Sequence, residues 1–287
     1  IAVDPAGQLL YVTLSRNNSL GIVDLAQQQL IAEIPVGIAP FGVLLQGDRA
    51  YVSNWGGRRP EAGEITGPTS GSEILIDSRG VANSGSVSVI DLAARQVVQE
   101  IAVQLHPSGM ALAPDGSRLY VANANSDTVS VIDTATHAVV AQWQTRPMET
   151  LPFGSAPNAL AVSYDGARLY VANGGNNCIA VMDTATGSIE GLIPTGWYPG
   201  AIVLAQDGNT LCVANTKGAG SRAKEIGEVP QDIRKRLEQD LEGQKFNSHD
   251  HLGSVSLIPL PDAAALAEYT FQTASNMNLP LMHEGMN

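Results

Sequence analysis

A seventeen-residue segment that recurs along the chain limits the folds open to this sequence. Arg118 to Thr134 reads RLYVANANSDTVSVIDT, and Arg168 to Thr184 reads RLYVANGGNNCIAVMDT. Three looser copies lie at 10–24, 50–91 and 211–258, the last two split by insertions. A supersecondary unit repeated at a fixed period predicts a solenoid or a propeller rather than one irregular core.

Each repeat predicts four short strands, which we label A to D. In the third copy these are 108–113, 118–123, 128–133 and 138–143, and the Pro-Asp-Gly-Ser turn at 114–117 separates A from B. Asp and Gly suit such a turn because they supply local hydrogen bonds and positive φ. Short strands separated by regular turn signals indicate antiparallel β-structure.

The spacing of the repeats favours a propeller over a sandwich. Tyr11 and Tyr51 are 40 residues apart, and Tyr170 and Cys212 are 42 apart. Propeller blades of four strands have about this period. Strands B and C carry apolar or small residues on both faces, as a sheet packed between two other sheets requires. We predict an all-β protein, a β-propeller of four-stranded antiparallel blades with five blades visible.

The repeat also carries a family resemblance. The Tyr-Val-x-Asn strand, the preceding Asp-Gly turn and the following Val-Ile-Asp-Thr-x-Thr segment resemble YVTN-type β-propeller repeats over most of 1–260. The segments 196–199, 215–218 and 252–261 resemble the propeller portion of bacterial propeller/phosphoesterase fusion proteins, whose second domain is alkaline phosphatase-like. The resemblance implies a seven-bladed ring and a periplasmic or extracellular location. Motifs of the phosphoesterase domain are absent from the sequence, so its catalysis is assigned to no residue here.

Five blades of a seven-bladed ring would leave an open arc. An open arc exposes an apolar sheet face at each end, and covering such a face is favourable by about 25 cal/mol per Å². We therefore expect missing blades or a second chain to close the ring, although five-bladed rings exist as an alternative. The propeller is assigned to 1–273 and a C-terminal tail or linker to 274–287, with 262–272 as either strand D of the fifth blade or a short helix.

The insertions are predicted to gather on one face of the ring. In a propeller the B–C and D–A connections emerge together, and the long segments 55–84, 144–156 and 216–252 all belong to this set. Rigid scaffolds build recognition surfaces from such loops. Neutral drift in loop length is the alternative, and it should scatter insertions over both faces.

Side chains of these connections are the predicted ligand- or partner-binding residues. Arg58 and Arg59 could bind an anion in bidentate fashion, or could pair with Glu61 and Glu64. Large rings could stack on a ligand or pack against the adjacent insertion. The full set comprises Phe41, Trp55, Arg58, Arg59, His106, Trp197, Tyr198 and Lys217.

The 216–252 insertion contributes two further predictions. Its segment 230–242 has apolar residues four apart and predicts a short amphipathic helix that lies across the face or docks a neighbouring domain. His249 and His251 would point the same way in an extended segment and could share a metal ion, with His106 as a third ligand. A polar loop end capped by Asp250 is the alternative. No cofactor other than this ion is predicted.

Composition excludes several classes of function. The formal net charge of −12 without a basic cluster argues against nucleic-acid partners, and no apolar run is long enough to span a membrane. Cys178 and Cys212 fall in predicted strands, which favours buried thiols over a disulfide. No catalytic motif is recognised. We expect a non-catalytic scaffold; the alternatives are the propeller portion of a phosphoesterase, and a propeller enzyme or metal protein that uses the axial site as lactonases of similar architecture do.

Overall fold

A computed structural model describes residues 1–148, 151–218, 220 and 252–277. Its strands form five consecutive antiparallel sheets, four with four strands and one with three. We number these sheets blades 1 to 5. The chain is all-β with a propeller arrangement, as the repeats predict.

Strand bounds follow the repeat. Blade 1 contains β1 (Ala2–Val3), β2 (Leu9–Leu14), β3 (Ser19–Asp24) and β4 (Gln29–Pro35). Blade 2 contains β5 (Pro40–Gln46), β6 (Arg49–Asn54), β9 (Gly85–Asp91) and β10 (Gln96–Val103), and the hairpin β7 (Thr66–Thr69) and β8 (Ser72–Leu75) lies between β6 and β9. Blade 3 contains β11 (Pro107–Leu112), β12 (Arg118–Asn123), β13 (Thr128–Asp133) and β14 (Ala138–Gln144). Blade 4 contains β15 (Pro157–Val162), β16 (Arg168–Asn173), β17 (Cys178–Asp183) and β18 (Ile189–Pro194), and blade 5 contains β19 (Trp197–Leu204), β20 (Thr210–Gly218) and β21 (Ser254–Pro259).

The repeated motif is the central hairpin of each blade. In blade 3, β12 pairs with β13 in an unbroken register from Arg118 opposite Asp133 to Asn123 opposite Thr128. Almost every residue of these two strands is buried, on both faces of the sheet. The bounds predicted for strands B and C are therefore confirmed, because a sheet covered on both sides gives an unambiguous apolar signal.

Consecutive blades pack face to face through equivalent positions. Tyr120, Val129 and Val131 form what we call the forward face of blade 3, and they join one apolar cluster with Leu169 and Val171 of the next blade. Equivalent clusters join blades 1 and 2, 2 and 3, and 4 and 5. Blades 2, 3 and 4 each lie between two other sheets, which excludes a two-layer sandwich.

Blade 5 lacks a fourth strand among the described residues, and its place in the sequence is taken by helix α1 (Ala263–Asn276). Asp262 caps α1 by accepting a hydrogen bond from the backbone N–H of Ala265. The sequence left strand and helix open here. In the structure this segment is a helix, and the helix continues past residue 273, where the propeller was predicted to end.

Helix α1 packs on blade 4 rather than on blade 5. Thr270 Oγ1 accepts a hydrogen bond of 2.9 Å from the backbone N–H of Leu192. Helix α1 therefore provides a hydrogen-bond partner for one backbone group of the edge strand β18. Gly191 permits this close approach, since a Cβ there would lie 2.6 Å from Leu266 Cγ. The helix therefore protects one sheet edge and leaves β21 as the edge of blade 5.

The forward face of blade 5 is not covered by the described part of the chain. Val203, Val255 and Leu257 are exposed there, whereas the equivalent residues Val129 and Val131 of blade 3 are buried. The described arc therefore ends in an apolar face of the kind that joins the other blades.

Two negative predictions concern the described part of the chain. Within it, no helix is long and apolar enough to cross a membrane. Cys178 and Cys212 are both free thiols, and burial raises the pKa of Cys178 to about 12. The alternative of a disulfide between them is wrong.

Candidate recognition surface

Strand direction places the B–C and D–A connections on one side of the arc, which we call the loop face. Antiparallel pairing brings the end of every second strand beside the end of every fourth strand. The 55–84 insertion, with its hairpin β7–β8, lies at this face. The 216–252 insertion leaves from the same end of β20, but almost all of it lies outside the described residues, including the predicted helix 230–242.

The D–A connections share a backbone conformation that the sequence did not reveal. Ala39, His106, Ala156 and Tyr198 each precede a proline at or near the start of strand A, and all four have left-handed φ values between 48° and 58°. Non-glycine residues adopt this conformation at an energetic cost. Because two of the four carry rings, the connections present His106 and Tyr198 at equivalent positions.

At three of these four connections, hydrogen bonds from the preceding B–C turn hold this conformation. Asn18 accepts from the N–H of Ala39 at 2.9 Å, and Asn177 accepts from the N–H of Tyr198 at 2.9 Å. In blade 3 the buried Asp127 has the same role, accepting from Gly154 and Ala156. Side-chain hydrogen bonds to the backbone therefore fix the conformation of these connections on the loop face.

Three of the predicted residues form a continuous aromatic stack. Trp55 lies between Phe41, with ring centroids 4.4 Å apart, and His106, with centroids 4.2 Å apart. Trp55 Nε1 and His106 Nδ1 are buried and have no hydrogen-bond partner among the described residues. Burial lowers the pKa of His106, which favours a neutral imidazole in the stack at neutral pH. We call these three residues the Trp55 cluster.

Both predicted arginines are engaged within the chain. Arg58 makes a bidentate ion pair with Glu64, at 2.8 and 2.5 Å, and this hydrogen bonding lowers the pKa of Glu64 to about 2. Arg59 donates to the backbone carbonyls of Val36 and Asn18, each at 2.8 Å. The pairing alternative is present for Arg58, and anion binding by either residue stays a prediction.

A second group of predicted residues meets at the connection into blade 5. Lys217 Nζ lies 5.3 Å from the ring centroid of Tyr198, within cation–π range. Trp197 pairs with Gly218 across β19 and β20 and exposes about half of its surface. We call Trp197, Tyr198 and Lys217 the Trp197 cluster.

Sequence reasoning missed one aromatic residue of this face. Phe153 lies in the connection between blades 3 and 4, is strongly exposed, and has the Arg146 guanidinium 4.7 Å from its ring centroid. The 144–156 insertion was recognised, but no pattern within it distinguishes an exposed ring from a packed one.

The proposed metal ligands His249 and His251 lie outside the described residues, so that prediction stays open. In the described part of the chain no group of three or more His, Cys, Asp or Glu residues could hold a metal ion. His106, the suggested third ligand, stacks on Trp55.

Comparison with known proteins supports the fold. A family model described as "Lactonase, 7-bladed beta-propeller" matches residues 110–220, which include most of blades 3 and 4. No protein of curated function matches the chain by sequence. Fold and loop geometry together define the chain as a β-propeller protein.

Solved structures similar to this chain are distant in sequence. A chain of a mitotic checkpoint complex is 15% identical with a TM-score of 0.56, and the match covers 75% of this chain and 56% of that one. The Cps50 (Swd1) β-propeller domain of Myceliophteria thermophila is 13% identical with a TM-score of 0.56, covering 75% and 62%. Hydrazine synthase of Kuenenia stuttgartiensis is 20% identical with a TM-score of 0.45, covering 74% and 79%. The chain thus spans less than two thirds of the two structures that it resembles better, and at these identities the likeness concerns the fold alone.

Proposed function

We propose that this chain is a non-catalytic propeller scaffold whose loop face binds a protein partner or an adjoining domain. The observation that carries the proposal is the exposure of rings at or beside three of the four connections between the blades. Phe41 is 44% exposed, Phe153 69% and Trp197 48%. Exposed aromatic side chains grouped on one rigid surface are typical of interfaces, where buried rings supply much of the binding energy.

The opposite face has a different character. Its short turns carry aspartates, such as Asp133 and Asp183, whose carboxylates accept hydrogen bonds from the N–H groups of their own turns. Its exposed ring, Tyr164, donates a hydrogen bond to the carbonyl of Ala205. These side chains shape turns, and the contrast favours the loop face as the binding side.

Site-specific photo-crosslinking tests the proposal in cells that express the protein. A photoreactive amino acid replaces Phe41, Phe153 or Trp197 in turn, and Tyr164 serves as the matched exposed control. We expect discrete crosslinked species from the first three positions and none from Tyr164. Equal crosslinking from both faces, or none from the loop face, would overturn the assignment.

An enzymatic function is the second candidate, and the lactonase family model favours it. The reaction would be hydrolysis of a lactone at the axial site, with His249 and His251 as candidate metal ligands. A panel of lactones assayed with and without divalent metal tests this. Turnover that is lost when both histidines are replaced by alanine would replace the scaffold proposal with an enzymatic one.

The resemblance to propeller/phosphoesterase fusion proteins supports two further parts of the proposal. The adjoining domain would be a phosphoesterase, and the protein would act in the periplasm or at the cell surface. Ring closure by further blades or a second chain is supported by the uncovered forward face of blade 5. A phosphatase assay of the protein expressed with its flanking gene sequence tests the first of these, and cell fractionation tests the location.

A further inference from the structure

A cavity of about 630 Å³ opens beside the Trp197 cluster. Its walls come from the B–C turn of blade 4, the connection into blade 5 and the C-terminal end of α1. It is lined by Leu151, Gly175, Asn176, Asn177, Thr195, Trp197, Thr273, Asn276 and Met277.

The lining is polar but uncharged. The lining contains three asparagines, two threonines and one tryptophan, and none of the described lining residues is acidic or basic. The described lining residues include no cation to neutralise a phosphate or carboxylate and no anion to hold an ammonium group. The ligand class that remains is neutral and rich in hydroxyl or amide groups.

Asn176 departs from the repeat in a way that points to a ligand. The equivalent residue of blade 3 is Ser126, whose hydroxyl accepts a hydrogen bond from the N–H of Leu105 at 3.0 Å. In blade 4 the Asn176 side-chain carbonyl is buried and has no partner among the described residues. The side-chain carbonyls of Asn54, Asn123, Asn173 and Asn215 are also buried without a partner among the described residues, but Asn176 lies in the cavity wall, where a bound hydroxyl could satisfy it.

The surrounding groups are fixed in place. Asn177 has a left-handed φ of 54° and accepts from the N–H of Tyr198, and the N–H of Thr195 donates to the carbonyl of Asn177 at 3.1 Å. Thr273 is almost fully buried and donates to the carbonyl of Tyr269. A preformed cavity binds its ligand with a smaller ordering cost than a flexible surface does.

We propose that this cavity binds a saccharide unit. Side-chain amides provide a donor and an acceptor side by side, which matches a pair of neighbouring sugar hydroxyls. The exposed Trp197 ring offers a flat apolar surface for the C–H face of a pyranose. This activity goes beyond the proposed partner binding, although Trp197 belongs to both surfaces.

Binding is tested with named sugars: glucose, N-acetylglucosamine, maltose, cellobiose and chitobiose at millimolar concentration. Saturation-transfer NMR detects contact, and titration gives Kd for the wild type, Asn176→Ala and Trp197→Ala. Matched controls are Asn125→Ala, in the equivalent turn of blade 3, and Tyr164→Ala on the opposite face. Circular dichroism verifies that every variant is folded.

We expect at least one sugar to bind, with Kd raised about tenfold or more by each cavity variant, as the loss of one good hydrogen bond or ring contact implies. The controls should bind as the wild type does. No binding of any sugar, or binding that is unchanged in both cavity variants, would overturn the inference. So would binding of a neutral capped tripeptide in place of every sugar. Crosslinking from Phe41 and Phe153 tests the proposed function without involving this cavity.

Discussion

The indole of Trp55 stacks on the imidazole of His106, with an interplanar angle of 21°. Trp55 follows the second strand of blade 2, and His106 lies in the connection from blade 2 to blade 3. The stack therefore fastens the start of the 55–84 insertion to the entrance of the next blade, and Phe41 extends it towards blade 1.

Replacing Trp55 by alanine should destabilise the protein. Two ring contacts and part of a large apolar surface are lost, so the free energy of unfolding should fall by about 2 kcal/mol. Trp55→Phe keeps a stacking ring and should lose less than half of that. Urea denaturation measures both, and equal stability of Trp55→Ala and the wild type would contradict a structural role for the stack.

His106 should make stability depend on pH below neutrality. Burial lowers its folded-state pKa below the ordinary value of 6.5, so the unfolded chain takes up the proton first. This contribution is fully present above 6.5 and is lost as pH falls towards the folded pKa. Thermal midpoints of the wild type should therefore fall between about pH 7.5 and 5, and those of His106→Gln should fall less.

His137 should make a second, separate contribution to this pH dependence. Burial also lowers its pKa, so His137→Gln should remove a separate part of the same pH dependence. The aspartates with lowered pKa values, such as Asp133, start from 3.8 and titrate at lower pH. Identical pH profiles for His106→Gln and the wild type would show that the imidazole is not held neutral by the stack.

The central hairpins were predictable from sequence, and the surroundings of α1 were not. β12 and β13 have the predicted bounds because both faces of their sheet are covered, which leaves a continuous apolar pattern. Ala263 to Glu268 favours a helix and Tyr269 to Phe271 favours a strand, so local preference could not decide between them. Packing against the edge strand β18 stabilises the helix, because Thr270 Oγ1 accepts a hydrogen bond there from the N–H of Leu192.

The candidate site was predictable as a set of positions but not as an arrangement. Loop lengths indicate which face carries the insertions, and the sequence shows which positions of those loops have aromatic side chains. That Trp55 and His106 would stack, or that Asn176 would be left without a partner where Ser126 has one, depends on contacts between connections distant in sequence.

Asp127 should be required for the order of the connection that carries Phe153. Its buried carboxylate accepts from the N–H groups of Gly154 at 2.8 Å and Ala156 at 3.0 Å. Asp127→Ala leaves both donors unpaired and should lower the free energy of unfolding by about 2 kcal/mol. Asp127→Asn retains one acceptor and should have an intermediate effect. Denaturation measures the series, and crosslinking from position 153 should decrease in the same order.

The contact between α1 and blade 4 makes a separate prediction. Thr270→Val removes the oxygen that accepts from the Leu192 N–H and should lower stability by about 1 kcal/mol. Gln272→Val is the matched control, since it places the same residue at an exposed position of the helix. Hydrogen exchange at Leu192 should accelerate in Thr270→Val alone. Unchanged exchange would mean that the helix does not protect this edge.

Equivalent positions in blades 3 and 5 test whether the forward face of blade 5 is free. Val131 pairs with Tyr120 and is 3% exposed, whereas Leu257 pairs with Cys212 in the same register and is 68% exposed. Val131→Gln buries an unpaired amide and should cost about 3 kcal/mol or more. Leu257→Gln should change the free energy of unfolding by less than about 0.5 kcal/mol, because its side chain stays in water.

The same pair of variants then reports on ring closure. If a further blade covers Leu257 in a longer form of the protein, Leu257→Gln should destabilise that form about as much as Val131→Gln does, because the two faces become equivalent. Denaturation of both variants in both forms makes the comparison. Leu257→Gln that remains neutral in the longer form would show that its additional sequence does not pack on blade 5, and closure by a second chain would then be tested by sedimentation.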